Sequence, residues 1–298
     1  MTPPRVVVIG AGGFIGARVT ARLAGRHEVL AVVRRAGTDM TGVTYLTADL
    51  GPDWTHVLPD AADVVIWLAQ SRRYREFPAG APDMFRVNES ALFAALEWAR
   101  ERGVRRFIYA STGSVYAPAS SPLTEASPIG ASSFYAATKL NGETLAVQYG
   151  GLFEVVIGRV FGVYGPGQAG MAVARVIEAA ASGRTVPLTA GIGMELTPLF
   201  VDDAAEIFVR LVSAPLPSSP LIVNIAGPEA TTLGAIAEMA ARASGEQAEL
   251  IHEAGDPARI IADIGTLRAL LPDLMFHGLA DGVAATVAAL GTAQRRSM

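Results

Sequence analysis

Residues 5–19 read RVVVIGAGGFIGARV and combine a β-branched run, a glycine-rich turn and the start of a helical pattern. The β-branched run is typical of a strand that is buried on both faces. After the turn, Ile15, Val19 and Leu23 recur at the spacing of one helix face. The stretch therefore predicts a strand, a tight turn and a helix, the unit from which parallel α/β sheets are built.

The turn holds Gly10, Gly13 and Gly16 in the pattern G-x-x-G-x-x-G. Glycine allows the backbone to turn tightly and to approach a pyrophosphate, which then lies at the N-terminus of the helix. Because the pattern falls at the first strand–helix junction, it predicts a dinucleotide site. We expect this site to include Phe14 and Ile15 as well as the three glycines.

Further strand-like runs alternate with helical segments along the chain. The runs are HEVLAVVRR, VTYLTADL, ADVVIWLAQ, RRFIYAST, FEVVIGRV and PLIVNIAGP. Helical patterns occupy residues 85–102 and 135–149, the stretch MAVARVIEAAASG and a segment that opens at Asp202. This alternation predicts an α/β fold, namely a Rossmann-type doubly wound parallel sheet with a smaller, mostly helical C-terminal part.

The order of these segments suggests two domains. We expect residues 1–166 and 197–230 to form a Rossmann domain that binds NAD(P). Residues 167–196 and 231–298 are expected to form the substrate-binding domain, with the site in the cleft between the two.

Composition excludes several classes of function. The chain of 298 residues has a net charge of −4 and no cysteine, which argues against nucleic acid as a partner and against thiolate chemistry. Its four histidines show no close ligand spacing, so no metal site is expected. No apolar run approaches the length of a membrane helix, and no signal peptide opens the chain. We expect a soluble, cytoplasmic protein with no membrane partner.

The end of the second strand bears on the choice of cofactor. An acid there would accept hydrogen bonds from the ribose of NAD, but this chain has Arg34 and Arg35. Because arginine suits a 2′-phosphate, the sequence favours NADP over NAD. Asp49 and Leu50 follow the third strand, where they would meet the adenine; the alternative for Asp49 is a solvated loop acid.

Lys139 is the only lysine among the 24 lysines and arginines, and it follows Tyr135 by four residues. On a helix, side chains at this spacing emerge on the same face. A nearby ammonium would favour the phenolate of the tyrosine, which could then exchange a proton with an alcohol or a carbonyl. The spacing predicts a catalytic pair for hydride-transfer chemistry.

Several motifs together resemble the extended short-chain dehydrogenase/reductase family, also called the NAD-dependent epimerase/dehydratase family. They are VIGAGGFIG, DVVIWLAQ, FRVNESALFAALEWARERGVRRFIYASTGSVY, YAATK, VFGVYGPG, LFVDDAAE and VNIAGP. The resemblance covers nearly the whole sequence and is more specific for the family than for the reaction.

The resemblance implies roles for further residues. Thr112 would bind the reacting oxygen beside Tyr135, and Lys139 would hold the ribose of the cofactor. Asn88 matches an asparagine behind the site, with a structural role and a proton-relay role both open. Leu68, Ala69 and Gln70 match the loop that passes near the cofactor.

Departures from the family pattern narrow the substrate and the reaction. The 4,6-dehydratases carry Asp-Glu where this chain has Gly113 and Ser114, so water elimination is not expected. Asn and Arg that hold a sugar diphosphate are replaced by Gly162 and Leu196, and a further Arg near Glu253 is missing. Arginines elsewhere could replace them as charge partners, namely Arg175, Arg184 and Arg259. The expected substrate-binding residues are Thr112, Gly113, Ser114, Tyr135, Phe161, Gly162, Arg175 and Arg259.

We therefore expect an NAD(P)-dependent oxidoreductase or epimerase that transfers hydride at a carbinol or keto carbon of a nucleotide-activated sugar. Epimerase and ketoreductase both remain open. The alternatives are a reductase of a small non-nucleotide ketone and a non-catalytic sensor of NADP(H).

The resemblance also implies a homodimer, through the helices that carry Asn88 and Tyr135. The apolar residues of these helices could serve a partner or only the sheet beneath; they are Leu92, Phe93, Leu96, Leu140 and Leu145.

Overall fold

The computed structural model describes residues 3–35, 40–51 and 53–296. Its strands are β1 Arg5–Ile9, β2 Glu28–Val33, β3 Val43–Thr47, β4 Val64–Trp67, β5 Arg106–Thr112, β6 Glu154–Val160, β7 Val163–Tyr164, β8 Val186–Thr189, β9 Glu195–Leu196, β10 Leu199–Phe200, β11 Leu221–Ile225, β12 Thr231–Thr232, β13 Leu250–Glu253 and β14 Arg259–Ile260. Its helices are α1 Gly16–Leu23, α2 Ala81–Phe85, α3 Ala91–Glu101, α4 Phe134–Gln148, α5 Ala172–Ala181, α6 Val201–Leu211, α7 Leu233–Ser244, α8 Gly265–Leu270 and α9 Leu279–Arg296.

Seven parallel strands form the main sheet, in the order β11-β6-β5-β4-β1-β2-β3. Val7 of β1 lies opposite Leu30 of β2 on one side and Val65 of β4 on the other. The chain winds outward in opposite directions from β1 and β4, so the loops after these two strands diverge and leave a crevice. This topology confirms the predicted doubly wound Rossmann-type sheet.

Helices cover both faces of the sheet, as a continuous apolar strand requires. Alternate residues of β1 point to opposite faces. Val6 and Val8 belong to a core with α1 and α6, and Val7 and Ile9 to a core with α3. All four side chains are fully buried.

A third apolar core joins α5, α7 and α9 outside the main sheet. It includes Ile177, Ile236, Ala240 and Val283. The leucines of α8 and of the segment after it pack instead with the α1–α6 core; they are Leu267, Leu271 and Leu274.

The helix predicted over residues 85–102 is divided in the structure. A π-helical turn, Arg86–Ser90, separates α2 from α3. Such turns often accompany functional sites, since the wider turn redirects a side chain. Here the turn contains Asn88, whose side chain is buried and bonded to two neighbouring segments.

Within the described residues, no helix combines the length and the hydrophobicity needed to cross a bilayer. The same residues contain no cluster of three or more His, Asp or Glu side chains placed to bind a metal ion.

Candidate active site

The glycine turn is packed more tightly than any side chain would allow. Gly10 has a φ of +87°, and a Cβ on it would lie 2.7 Å from the backbone nitrogen of Ala69. A Cβ on Gly16 would collide with the carbonyl oxygen of Gly10. A Cβ on Gly12 would lie 3.6 Å from Cγ1 of Val33, at the end of β2. The glycines of the turn therefore pack their backbone directly against the ends of β2 and β4, where a side chain on Gly10 or Gly16 would not fit.

The start of α1 suits an anion. The first turn of this helix has no acidic residue, and no side chain caps it at Ile15. Gly13 donates its N–H to the carbonyl of Gly10 at 2.9 Å, which closes the turn. Free N–H groups and the helix dipole favour negative charge at this point, so the residues present fit a dinucleotide pyrophosphate.

The residues expected near the adenosine lie at the ends of the adjacent strands. Arg34 follows β2 and is exposed. Asp49 is paired with Arg86, with 3.6 Å between the carboxylate and Nη1, so it is an ion-paired acid at the surface. Arg86 also donates to the carbonyl of Leu50, and Phe14 lies beneath the guanidinium of Arg18 at 5.0 Å.

Tyr135 lies in the first turn of α4. Ser133 caps this helix by accepting the N–H of Ala136 at 3.1 Å. The Tyr135 hydroxyl donates to Oε1 of Gln70, at 2.9 Å, just beyond β4. Thr112 ends β5 and accepts the N–H of Ser114 at 3.2 Å. The structure thus brings the predicted catalytic tyrosine to the carboxyl ends of the central strands.

Lys139 is almost completely buried, with 2% of its surface exposed. Its Nζ donates to the carbonyl oxygen of Ala110 and lies 4.4 Å from the centre of the Tyr109 ring. Burial lowers the pKa of Lys139 to about 7, although the carboxylate of Glu143 acts in the opposite direction. The charge of this lysine is therefore only marginally stable at neutral pH.

The ionisation of Tyr135 differs from the expectation. Burial raises the pKa of Tyr135 to about 12. The hydrogen bond with Thr112 lowers this pKa, and the charge of Tyr74 raises it. Lys139 was expected to lower this pKa, but its Nζ is held by Ala110. The expectation is corrected because desolvation of the phenolate outweighs any help from the lysine.

Asn88 joins two of the segments that surround the tyrosine. Its Oδ1 accepts the N–H of Ser71 at 2.9 Å, and its Nδ2 donates to Oγ1 of Thr138 at 2.9 Å. Both ends of the amide are thus used to hold the loop after β4 against α4. Of the two roles left open by the sequence, these contacts favour the structural one.

The expected substrate-binding residues separate into two groups. Gly113 packs on Phe161, since a Cβ on this glycine would lie 2.8 Å from the phenylalanine ring. Gly162 packs beside Leu196, whose Cδ1 would lie 3.6 Å from an added Cβ. Gly113 directly follows β5, and Phe161 and Gly162 directly follow β6.

The arginines form the second group. Arg259 pairs with Glu195, and Arg184 pairs with Glu178 at 3.1 Å. Arg175 is exposed on α5. None of the hydrogen bonds or ion pairs in the described part of the chain joins these arginines to Tyr135.

One contact of the tyrosine was not anticipated. The ring of Tyr74 lies 5.3 Å from the ring of Tyr135. Tyr74 stands within the run of arginines at residues 72–75, which the sequence shows only as a short basic cluster. A loop without periodicity carries no signal for which helix it will cover.

A parallel sheet with a glycine turn at its switch point, beside a tyrosine and a lysine one helical turn apart, is the architecture of dinucleotide-binding proteins. The model of the NAD dependent epimerase/dehydratase family matches residues 6–226. The chain belongs to this family.

Known relatives are similar over most of the chain. UDP-glucose 4-epimerase of Mycolicibacterium smegmatis is 30% identical, over 69% of this chain and 72% of the relative. The Bacillus subtilis protein YtcB, described as an uncharacterized UDP-glucose epimerase, is 29% identical over 97% of this chain and 98% of its own. The structure of MoeE5 in complex with UDP-glucuronic acid and NAD is 27% identical, with a TM-score of 0.84, and the match covers 99% of this chain and all of that one.

Proposed function

We propose that the protein is an NAD(P)-dependent enzyme that transfers hydride at a carbinol or keto carbon of a nucleotide-activated sugar. The observation that carries the proposal is the placement of Tyr135, hydrogen-bonded to Gln70 and one helical turn before the buried Lys139, at the crevice beside the glycine turn. The names of the relatives support a nucleotide sugar as the substrate.

Gly10, Gly13 and Gly16 would hold the pyrophosphate of the dinucleotide, against the open start of α1. When bound, NAD(P) supplies a nicotinamide ring that accepts or donates hydride. Tyr135 then takes the proton of the substrate hydroxyl during oxidation and returns it to the carbonyl oxygen during reduction. Thr112 would orient the same oxygen.

Lys139 has a different task in this proposal. It would bind the ribose of the cofactor through its Nζ. Because its pKa is about 7, the lysine exchanges its own proton near neutral pH. A bound, polar ribose would give its Nζ a further hydrogen-bond partner beside the carbonyl of Ala110.

Epimerase and ketoreductase share this machinery and differ in the fate of the cofactor. An epimerase oxidises and re-reduces the same carbon, so its cofactor stays bound. A ketoreductase must exchange NADPH at each turnover. Exposed Arg34, with no acid at the end of β2, supports NADP over NAD and hence the reductase. The names of the relatives support the epimerase.

A reductase of a small ketone without a nucleotide is the second candidate. The contact between Gly162 and Leu196 supports it, because this apolar pair stands where the resemblance implies diphosphate ligands. Arg259 is engaged by Glu195 rather than open to a phosphate. Gly113 and Ser114 supply no acid–base pair, which argues against a 4,6-dehydratase.

We also propose a homodimer, formed by α3 and α4 of two subunits. Phe85 and Phe93 support it, since they are 53% and 49% exposed along α2 and α3. Leu92 and Leu96 are buried against the sheet and are not available to a partner.

The two-domain division is likewise a proposal. It is supported by the separate core of α5, α7 and α9. The stretch 231–298 assigned to the substrate domain also contains α8, but the leucines of α8 pack in the α1–α6 core of the main sheet and not in that separate core.

The test is turnover of UDP-glucose and UDP-glucuronic acid with NAD and NADP, monitored by chromatography of the sugars and by nicotinamide absorbance. Tyr135→Phe should lower the rate by about a hundredfold or more, since general acid–base groups contribute that much. A Tyr135→Phe variant with nearly full activity would refute the assignment. Faster turnover of simple ketones, unaffected by free UDP, would favour the second candidate.

A further inference from the structure

The segment between β4 and α2, residues 71–80, reads SRRYREFPAG and is called the arginine loop below. It is fixed at its base. Ser71 donates its N–H to Asn88 and its hydroxyl to Asp83. At the other end, a Cβ on Gly80 would collide with the carbonyl oxygen of Arg73, so the two ends of the loop are closely packed.

The middle of the arginine loop reaches across to the segment that precedes α5. Arg75 donates to the carbonyl of Gly170 at 2.8 Å and to the sulfur of Met171 at 3.1 Å. The hydroxyl of Tyr74 donates to the same sulfur at 3.0 Å. The Arg75 guanidinium also lies 5.2 Å from the centre of the Tyr74 ring. One hydrogen bond of its own and a cation–π contact therefore hold the ring of Tyr74 in place, and the two hydrogen bonds of Arg75 fix the guanidinium that makes the cation–π contact.

The same ring contacts the reactive tyrosine. The rings of Tyr74 and Tyr135 are 5.3 Å apart with an interplanar angle of 52°, a tilted arrangement that aromatic pairs favour. Gln70, the residue directly before the arginine loop, accepts the hydrogen bond of the Tyr135 hydroxyl. The connection between β4 and α2 thus supplies a packing contact to the Tyr135 ring and a polar contact to its oxygen.

We propose that Tyr74 is a positioning residue for Tyr135, held over it by Arg75 and Met171. The inference rests on the proposed function and adds to it a residue outside the tyrosine–lysine motif. It also connects the proton-transferring group to the segment that leads into α5.

Other groups face Tyr135 from each neighbouring element. Thr112 of β5 lowers the pKa of Tyr135 by hydrogen bonding, and burial raises it. On its own helix, Lys139 and Glu143 follow at successive turns, while Tyr109 of β5 feels the charge of Tyr135. Among the described residues, Tyr74 is the one whose aromatic ring packs against the ring of Tyr135.

The effect expected of each variant follows from these contacts. Tyr74→Phe keeps the ring and loses only the hydrogen bond of the hydroxyl to Met171, so its kcat should stay within about twofold of the wild-type value. Tyr74→Ala also removes the ring contact and should lower kcat about twofold to tenfold, with little change in KM.

The first experiment separates the ring of Tyr74 from its hydroxyl. Single-turnover hydride transfer from UDP-glucose or UDP-glucuronic acid to the loaded cofactor is compared in the wild type, Tyr74→Phe and Tyr74→Ala. A lower rate in Tyr74→Ala that is restored in Tyr74→Phe is expected, because the phenylalanine keeps the ring that contacts Tyr135. An unchanged rate in Tyr74→Ala, or equal losses in both variants, would overturn the proposal.

The second experiment follows kcat and KM against pH with UDP-glucose or UDP-glucuronic acid, whichever is turned over faster. Phe77→Ala is the matched control, because Phe77 belongs to the arginine loop but stacks on Phe134, at 5.2 Å. Arg75→Ala should reproduce part of the Tyr74→Ala loss, and Phe77→Ala should not. Equal losses in all three variants would mean that the loop matters only for packing, which would overturn the proposal.

The controls separate this inference from the proposed function. If Tyr135→Phe kept full activity, the proposed function itself would fail. If Tyr135→Phe were inactive while Tyr74→Phe and Tyr74→Ala matched the wild type, only the role of Tyr74 would fail. Thermal unfolding identifies any variant that is misfolded. If Tyr74→Ala is misfolded, Tyr74→Phe, which keeps the ring, still tests the proposal.

Discussion

Replacement of Lys139 by methionine should make the protein more stable at neutral pH while it destroys activity. The side chain is buried, and its Nζ has the carbonyl of Ala110 as its hydrogen-bond acceptor. Burial lowers the pKa of Lys139 from 10.5 to about 7, so the folded state binds its proton less tightly than the unfolded state. Methionine has a similar length and no charge to desolvate.

The magnitude follows from proton linkage. Each pKa unit is worth about 1.4 kcal/mol, so a shift of this size costs the folded protein on the order of 5 kcal/mol wherever the lysine is charged. The cost is fully present below pH 7, because both states then hold the proton. It disappears as the pH rises towards 10.5, since the unfolded state binds more protons than the folded state across that window.

The assay is urea unfolding of nucleotide-free wild type and Lys139→Met at several pH values from 6 to about 9. The difference in unfolding free energy should favour Lys139→Met at pH 6 and shrink by about 1.4 kcal/mol per pH unit above pH 7. Loss of the bond to Ala110 reduces the advantage by a constant amount. A difference that did not vary with pH would refute the reasoning, because it would mean that the lysine titrates normally.

Three further predictions concern other parts of the site. Glu143→Gln should lower the unfolding free energy by about 3–5 kcal/mol in denaturant titrations, because it removes the charged partner of the buried Arg159. In the structure the two side chains are 2.7 Å apart. A loss below about 1 kcal/mol would contradict this prediction. Gly16→Ala should weaken NAD(P) binding at least about tenfold in calorimetry, because the added Cβ would collide with Gly10; unchanged affinity would show that the turn can move. Arg34→Glu should reduce the affinity for NADP while NAD is nearly unaffected, as fluorescence titration of both cofactors would show; equal losses would remove Arg34 from the ribose site.

Much of the fold could be predicted because its signals are local. The β-branched run before Gly10 forms β1 with the predicted bounds, Arg5–Ile9, since a strand buried on both faces needs no other pattern. The glycine turn and the spacing of Tyr135 and Lys139 are local in the same sense. The positions of the neighbouring strands in the sheet follow from right-handed crossovers between parallel strands.

The rest depends on contacts between distant segments. The pKa of Lys139 is set by burial, which a spacing of four residues does not report. The sequence left Arg259 open to a phosphate. In the structure β14 pairs with β9, and this pairing brings Arg259 to Glu195. Tyr74 reaches Tyr135 through a loop, and the π-helical turn at Asn88 interrupts a pattern that reads as one continuous helix.

The central claim is that Tyr135 moves the proton while hydride passes between a nucleotide sugar and a bound dinucleotide. Its most direct test is rapid mixing of wild type and Tyr135→Phe, both loaded with the preferred cofactor, with the nucleotide sugar that is turned over fastest. We predict that the nicotinamide absorbance changes in both proteins, at a rate about a hundredfold lower in Tyr135→Phe than in the wild type. Both proteins should bind the cofactor equally. Equal rates in the two proteins would contradict the account.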